Sequence, residues 1–136
     1  MNTTVLYSQA GIATQIMISV KEDYFIVDTG DGTLRDLLCR KIDFGKIKGI
    51  FLTHGHCDHV AGLYALLGYF RMIERKNPVT LYFPKGCKEA QQIVFAFQKN
   101  YNDVSFQIQM HEVKGGDELK IKDLKVKIYQ MRHYAA

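Results

Sequence analysis

The stretch that decides the fold is Thr53-His54-Gly55-His56-Cys57-Asp58-His59, which directly follows the apolar, β-rich run Ile47-Lys48-Gly49-Ile50-Phe51-Leu52. It carries three histidines and one aspartate within six residues. Imidazole nitrogens and carboxylate oxygens are ligands that zinc-type divalent cations bind well. A polar turn that holds histidines by chance is the alternative, but packing gives no reason for such a concentration. The stretch therefore predicts a metal site.

The spacing of these residues indicates the local geometry. His54 and His56 are two residues apart, the period that sends strand side chains to one side, whereas a helical zinc motif repeats at i and i+4. We expect a strand that ends at Thr53 and then curls, so that both rings face one cation. Asp58 and His59 would face a second cation close by. Two clustered metals suit a hydrolase that activates water and neutralises charge on its substrate.

The same residues resemble a known family. The segment from His54 to His59 is similar to the His-x-His-x-Asp-His signature of metallo-β-lactamase-fold hydrolases. Other segments resemble the ribonuclease Z group, the zinc phosphodiesterases that trim tRNA 3′ ends. They are residues 25–33, with Asp-Thr-Gly-Asp-Gly-Thr after a strand, Asp-His-Val-Ala-Gly-Leu at 58–63, Leu-Tyr-Phe-Pro-Lys-Gly at 81–86, and 116–133. The resemblance spans nearly the whole chain, in the family's order.

The sequence also departs from the group in three places. Residues 6–13 lack its glycine-rich opening turn, and Tyr64-Ala65 stands where it tends to have Pro-Gly. The sequence ends three residues after His133, before the bridging aspartate and last histidine that the family needs. We therefore expect an α+β fold, the N-terminal half of an αββα metallo-β-lactamase sandwich. Residues 1–136 would form one domain, incomplete at its C-terminus.

The resemblance implies a role for five residues. His54, His56 and His133 would bind the first zinc, and Asp58 and His59 the second, so a complete site would hold two zinc ions. Asp58 would also be the catalytic carboxylate that orients or deprotonates the nucleophile. Metal-bound hydroxide would attack the phosphorus of an RNA phosphodiester, as in tRNA 3′-end processing, or of a small phosphodiester.

Neighbouring residues allow two interpretations each. Asp28 either supports the metal histidines or belongs, with Gly30 and Gly32, to a tight strand-to-helix turn, which is the interpretation we prefer for the glycines. Cys57 lies between ligands, but strand alternation would point it away from the metal.

Length and composition limit the class of protein. With 136 residues, 47% apolar and 24% charged, the chain is an ordinary globular domain. No apolar run long enough to span a membrane and no signal peptide occur, so we expect a cytoplasmic protein without a membrane partner. Three cysteines without framework spacing favour reduced thiols. A net charge of +4 suits an anionic substrate, although Lys120 to Lys127 alternate with apolar residues like the solvated face of a strand.

Three functions stay open from the sequence. The first is a zinc phosphodiesterase of the ribonuclease Z type, with RNA (a tRNA precursor) as partner and a homodimer as a possible assembly. The second is another hydrolase of the same fold, acting on a thioester, lactone or β-lactam. The third is a catalytically incomplete chain that works by association.

Hydrophobic periodicity predicts alternating strands and helices. We expect strands at 4–7, 15–20, 24–27 and 47–53, helices at 33–40, 60–76 and 88–101, and strands at 79–83, 105–110, 118–121 and 124–131.

Overall fold

The computed structural model of the chain describes residues 1–132. Its strands are β1 (Asn2–Gln9), β2 (Ala13–Val20), β3 (Asp23–Val27), β4 (Ile47–Phe51), β5 (Val79–Pro84), β6 (Ile108–Val113), β7 (Glu118–Ile121) and β8 (Leu124–Lys127). Its helices are α1 (Thr33–Leu38), α2 (Cys57–Val60), α3 (Leu63–Met72) and α4 (Lys88–Asn100), with a 3₁₀ turn at Phe44–Lys46.

The main sheet has the strand order β1-β2-β3-β4-β5-β6. Strands β1 to β3 form an antiparallel meander, and β3 to β6 run parallel. Parallel neighbours need a crossover, which helices supply between β3 and β4, β4 and β5, and β5 and β6. The carboxyl ends of β3, β4 and β5 therefore lie at one edge of the sheet.

One face of the sheet and the helices enclose the hydrophobic core. Alternate residues of β5, Val79, Leu81 and Phe83, lie in this core together with Phe70 of α3 and Phe97 of α4. All five are at most 2% exposed. Their burial against the helices fixes the positions of the elements that lead into the edge described above.

The opposite face carries a row of aromatic rings. Phe51 stacks on Tyr82 with ring centroids 4.4 Å apart, and contacts continue to Phe25 at 6.3 Å and from Tyr82 to His111 at 5.2 Å. The hairpin β7–β8 forms a separate two-stranded sheet. Ion pairs from Lys122 to Asp23 and from Lys21 to Asp123 join it to the turn between β2 and β3. This start of a second layer agrees with the sandwich.

The predicted elements are present, with differences at their ends. The helix expected over 60–76 is observed as α3, Leu63–Met72, and α2 precedes it as a separate short helix, because the backbone N–H of Gly62 donates to the carbonyl of Thr29 outside the helix. Strand β4 ends at Phe51, two residues before Thr53, β6 begins at Ile108 and β8 ends at Lys127. The α+β prediction is confirmed, whereas the single incomplete domain over 1–136 stays a prediction. In residues 1–132, no helix has the length and apolarity to cross a membrane.

Candidate metal centre

The predicted ligands lie in a segment that leaves the sheet directly after β4, and we call residues 53–59 the ligand loop. The N–H of Leu52 still donates to the carbonyl of Tyr82, at 2.8 Å. The next N–H, of Thr53, donates to the Asp28 carboxylate instead, at 2.8 Å. His54 and His56 therefore belong to an irregular loop and not to a strand, since a side chain replaces the sheet as hydrogen-bond partner.

Asp28 organises the ligand loop from the end of β3. Its carboxylate is 3% exposed and accepts from Thr53 N at 2.8 Å and from Thr53 Oγ1 at 2.7 Å. Its Oδ2 also lies 2.7 Å from Nδ1 of His59. With Nδ1 bonded to a carboxylate, the ring of His59 presents Nε2 to the site, which is the arrangement that metal-binding histidines use. The structure thus gives Asp28 the supporting role that the sequence left open.

The three histidines of the ligand loop come together. The ring of His54 lies 4.7 Å from that of His56 and 4.1 Å from that of His59, between centroids. Nδ1 of His54 lies 3.0 Å from Oγ1 of Thr53, whose hydroxyl donates to Asp28. The same carboxylate thus orients two rings, one directly and one through a hydroxyl.

Asp58 lies in the first turn of α2, beside His59. Its Oδ2 is 3.5 Å from Nε2 of His59 and accepts from the backbone N–H of Gly11 at 3.1 Å. Burial acts to raise the pKa of Asp58, but the Gly11 hydrogen bond and the charges of His59 and His54 outweigh it, so the pKa lies below its usual value. The carboxylate is therefore ionised at neutral pH, as a metal ligand must be.

One pair of donors, from His59 and Asp58, has the separation expected of two ligands on a zinc-type cation. Nitrogen and oxygen donors at about 2.0–2.2 Å from zinc in tetrahedral geometry are about 3.4 Å apart, and Nε2 of His59 and Oδ2 of Asp58 are 3.5 Å apart. Within residues 1–132, no three His, Cys, Asp or Glu side chains converge closely enough to hold a cation by themselves. His133, the remaining predicted ligand, lies outside the described residues. Cys57 begins α2 and is exposed.

Two glycines bring the backbone segments of the site into contact. A Cβ on Gly62 would overlap the carbonyl oxygen of Gly30, and a Cβ on Gly30 would lie 2.5 Å from the carbonyl oxygen of Asp58. These approaches join the β3–α1 turn to α2. They explain Gly30 and Gly62 by close packing, whereas the left-handed backbone that a tight turn needs occurs at Gly32, with φ 87°.

Two residues near the ligands were not anticipated from the sequence. Gly11 bonds Asp58 from 47 residues away, and the Glu89 carboxylate of α4 lies against Gly55. Neither belongs to a motif with ligand spacing. Glu89 reaches the site because β4 and β5 are parallel neighbours, which brings the residues that follow both strands to one edge.

The fold and the ligand loop define a chain of the metallo-β-lactamase class. Human tRNase Z, short form, superposes with a TM-score of 0.72 at 27% identity, covering 82% of this chain and 45% of that one. The metallo-β-lactamase-fold protein YhfI of Bacillus subtilis, at 14% identity and a TM-score of 0.71, shows the fold alone, over 98% of this chain and 55% of that one. Residues 5–136 match the family model described as anti-Pycsar protein Apyc1, and the chain belongs to this family.

Curated relatives confirm the resemblance to ribonuclease Z. The enzyme of Pyrococcus horikoshii is 35% identical over 118 residues, which are 87% of this chain and 38% of that protein. The enzyme of Archaeoglobus fulgidus is 32% identical over 79% of this chain and 34% of that protein. The chain thus spans little more than a third of the length of these relatives.

Proposed function

We propose that the chain is part of a zinc-dependent phosphodiesterase that resembles ribonuclease Z and hydrolyses RNA phosphodiesters, as in tRNA 3′-end processing. The observation that carries the proposal is the pairing of Asp58 with His59 at 3.5 Å beside two further histidines. The similarity to ribonuclease Z of Pyrococcus horikoshii supports RNA as the substrate. Cytoplasmic location and homodimer formation stay predictions.

Each residue has a defined task in this proposal. His54, His56 and His133 would hold one zinc, and Asp58 and His59 the other, and the two ions would supply Lewis acidity and a water of lowered pKa. Asp58 would orient the attacking water and accept its proton through the carboxylate oxygens.

A small phosphodiester is the second candidate substrate. The description of the matching family names an anti-Pycsar protein and not a tRNA nuclease. Of the two segments that differ from the ribonuclease Z pattern, residues 6–13 adjoin the site, whereas Tyr64 packs against Phe97 and Tyr101. In particular, the β1–β2 turn that replaces the glycine-rich opening contacts Asp58. A different lining of the site favours a different leaving group with the same chemistry.

The test is hydrolysis of a tRNA precursor and of bis(p-nitrophenyl) phosphate by the zinc-loaded protein. We expect turnover of at least the small diester and a loss of about 10²–10⁴-fold in rate for Asp58→Ala, which removes the group that handles the proton. The matched control is Asp123→Ala, whose carboxylate pairs with Lys21 on the surface. It should leave the rate unchanged.

Each outcome has one meaning. Cleavage of both substrates supports the RNA assignment, and cleavage of the small diester alone selects the second candidate. No phosphodiester turnover with zinc bound, or full activity in Asp58→Ala, contradicts the proposal. A parallel panel of thioester, lactone and β-lactam substrates then tests the acyl hydrolases of the same fold.

A further inference from the structure

We infer that Glu89 is a positioning residue of the ligand loop, acting on bound zinc through Gly55 and the histidines on either side of it. The inference rests on the proposed metal site. Glu89 is the second residue of α4, the helix that follows β5. It reaches the site from the segment after β5, whereas the ligand loop follows β4.

Glu89 lies on the side of Gly55 where any other residue would carry its Cβ. A Cβ added at Gly55 would lie 2.5 Å from Cδ of Glu89 and 2.6 and 2.7 Å from its two carboxylate oxygens. The carboxylate therefore occupies the space that any other residue at position 55 would fill. Gly55 joins His54 to His56, so the contact limits the movement of the segment between two ligands.

The helix that carries Glu89 is rigidly held. Its start is fixed by the Cys87 N–H, which donates to the carbonyl of Pro84 at 3.0 Å. Its apolar face lies in the core, where Ala90, Val94 and Phe97 are at most 2% exposed. A side chain on such an element holds a defined position better than one on a loop.

The charge of Glu89 also suits a cation. Together with Asp28 and Asp58 it places three carboxylates around the histidines. A divalent cation bound among these groups would compensate this negative charge. Groups that hold metal ligands in place change metal affinity by about 10–100-fold, and Glu89 would do so through the backbone at Gly55 and not through a histidine ring.

Glu89→Gln tests the inference by zinc affinity. The substitution keeps the size of an exposed side chain and removes its charge. We expect the zinc dissociation constant, measured by competition with a chelating dye, to rise about 10-fold or more. The visible absorption spectrum of the cobalt-substituted protein should shift, because a neutral amide does not place the same charge and the same two acceptor oxygens beside the segment that joins His54 to His56. The melting temperature of the metal-free protein should change by less than about 2 °C.

Glu74→Gln is the matched control. Glu74 precedes Arg75, which binds the carbonyl of Ile47 at the start of β4, the end of that strand remote from the ligand loop. The zinc affinity and the cobalt spectrum of Glu74→Gln should equal those of the parent protein. An equal weakening in both variants would show a general effect of net charge and overturn the inference.

Gly55→Ala provides the second arm. Its Cβ would push the Glu89 carboxylate away from the loop, so we expect the same weakening as in Glu89→Gln, and no further weakening when the two are combined. Additive losses would show that the two residues act separately and overturn the inference. A parent protein that binds no zinc contradicts the proposed function itself. Zinc binding that Glu89→Gln leaves unchanged contradicts the role of Glu89 alone.

Discussion

Asp28 has an uncommon backbone conformation at the centre of the site. Its φ is 63°, in the left-handed region that residues other than glycine seldom adopt. The cost of order 1–3 kcal/mol is sustained by three hydrogen bonds to its carboxylate and by its N–H, which donates to the Phe51 carbonyl at 2.7 Å. The conformation turns the carboxylate from the end of β3 toward the ligand loop.

Asp28→Asn isolates the role of this carboxylate, because asparagine tolerates the same backbone conformation. Whichever way the asparagine amide is turned, its NH2 group faces another hydrogen-bond donor, either Thr53 N or His59 Nδ1. One hydrogen bond is therefore lost. We expect the free energy of unfolding of the metal-free protein to fall by about 1–3 kcal/mol in urea titration. The zinc dissociation constant should rise about 10–100-fold. If the free energy of unfolding and the zinc affinity are both unchanged, the Asp28 carboxylate does not support the site.

The three thiols should differ in reactivity. Cys39 and Cys57 are exposed, whereas Cys87 is 9% exposed and burial raises the pKa of its thiol. A raised pKa leaves less thiolate at pH 8, so iodoacetamide should modify Cys87 at least about 10-fold more slowly than the other two. Mass spectrometry of the peptides measures the rates, and urea should abolish the difference. Equal rates in the native protein would contradict the burial of Cys87.

Sequence patterns single out the candidate ligands but not the residues that contact them. His54, His56, Asp58 and His59 are recognisable because they are close in sequence and have ligand spacing. Asp28 contacts residues 25 and 31 positions away, and Gly11 contacts a residue 47 positions away. Such pairs are created by strand pairing, and no local pattern in one sequence reveals them.

At the scale of elements, the division between α2 and α3 determines how the ligand loop joins the core. The apolar periodicity continues through Gly62 and so predicts one helix. The N–H of Gly62 is used outside the helix, and its Cα packs against Gly30. Hydrophobic periodicity shows which face of a helix is buried but not where the helix axis changes direction. The break between α2 and α3 was therefore not predicted.

Two glycine variants should have opposite effects on stability. Gly62→Ala would place a Cβ on the Gly30 carbonyl oxygen, a backbone atom that cannot move aside, so we expect a loss of at least about 2 kcal/mol. Gly68→Ala, inside α3, meets nothing within 4 Å and should gain about 0.5–1 kcal/mol from helix propensity. Urea titration measures both. Equal effects would contradict the close approach of Gly62 to Gly30.

Arg75 joins three elements at the end of the sheet opposite the ligand loop. It is 3% exposed, and burial lowers its pKa to about 10, so it stays charged at neutral pH. Its guanidinium donates to four backbone carbonyls, those of Phe44, Ile47, Asn77 and Pro78, at 2.6–3.0 Å. These bonds tie the 3₁₀ turn to the starts of β4 and β5.

Arg75→Met should destabilise the fold without touching the site. It leaves buried carbonyls without donors, so we expect a loss of about 2–4 kcal/mol in urea titration. Arg71→Met is the control, because Arg71 pairs with Asp103 on the surface, where both side chains are exposed, and its loss should be clearly smaller. Equal losses would show that the buried contacts of Arg75 contribute little.

At the scale of the whole molecule, the candidate site is assembled where four chain segments meet at one sheet edge. Asp28 follows β3, the ligand loop follows β4, Glu89 follows β5, and Gly11 arrives from the β1–β2 turn. The fold class was predictable because the signature and the alternation of elements agree. The sheet order and the meeting of these segments were not derivable from periodicity, since they depend on long-range pairing.

Zinc should stabilise the molecule through this edge. A ligand that binds only the folded state at about 100 times its dissociation constant adds about 2.7 kcal/mol, so the melting temperature should rise by several degrees and fall back after chelation. Hydrogen exchange should slow mainly at residues 53–62. Magnesium, which prefers oxygen ligands, is the control and should have little effect. A melting temperature that zinc leaves unchanged would contradict the metal site.

The turn between β1 and β2 has a consequence for how this family can diversify. Its Gly11 N–H donates to Asp58, and the carbonyl of Thr14, in the adjoining strand β2, accepts from the N–H of Gly30. Ala10 and Ile12, on either side of Gly11, are exposed. Mutation can therefore exchange these side chains beside the candidate site while the anchoring bonds persist, so under the proposed function selection for new substrates would act here without disturbing the candidate ligands.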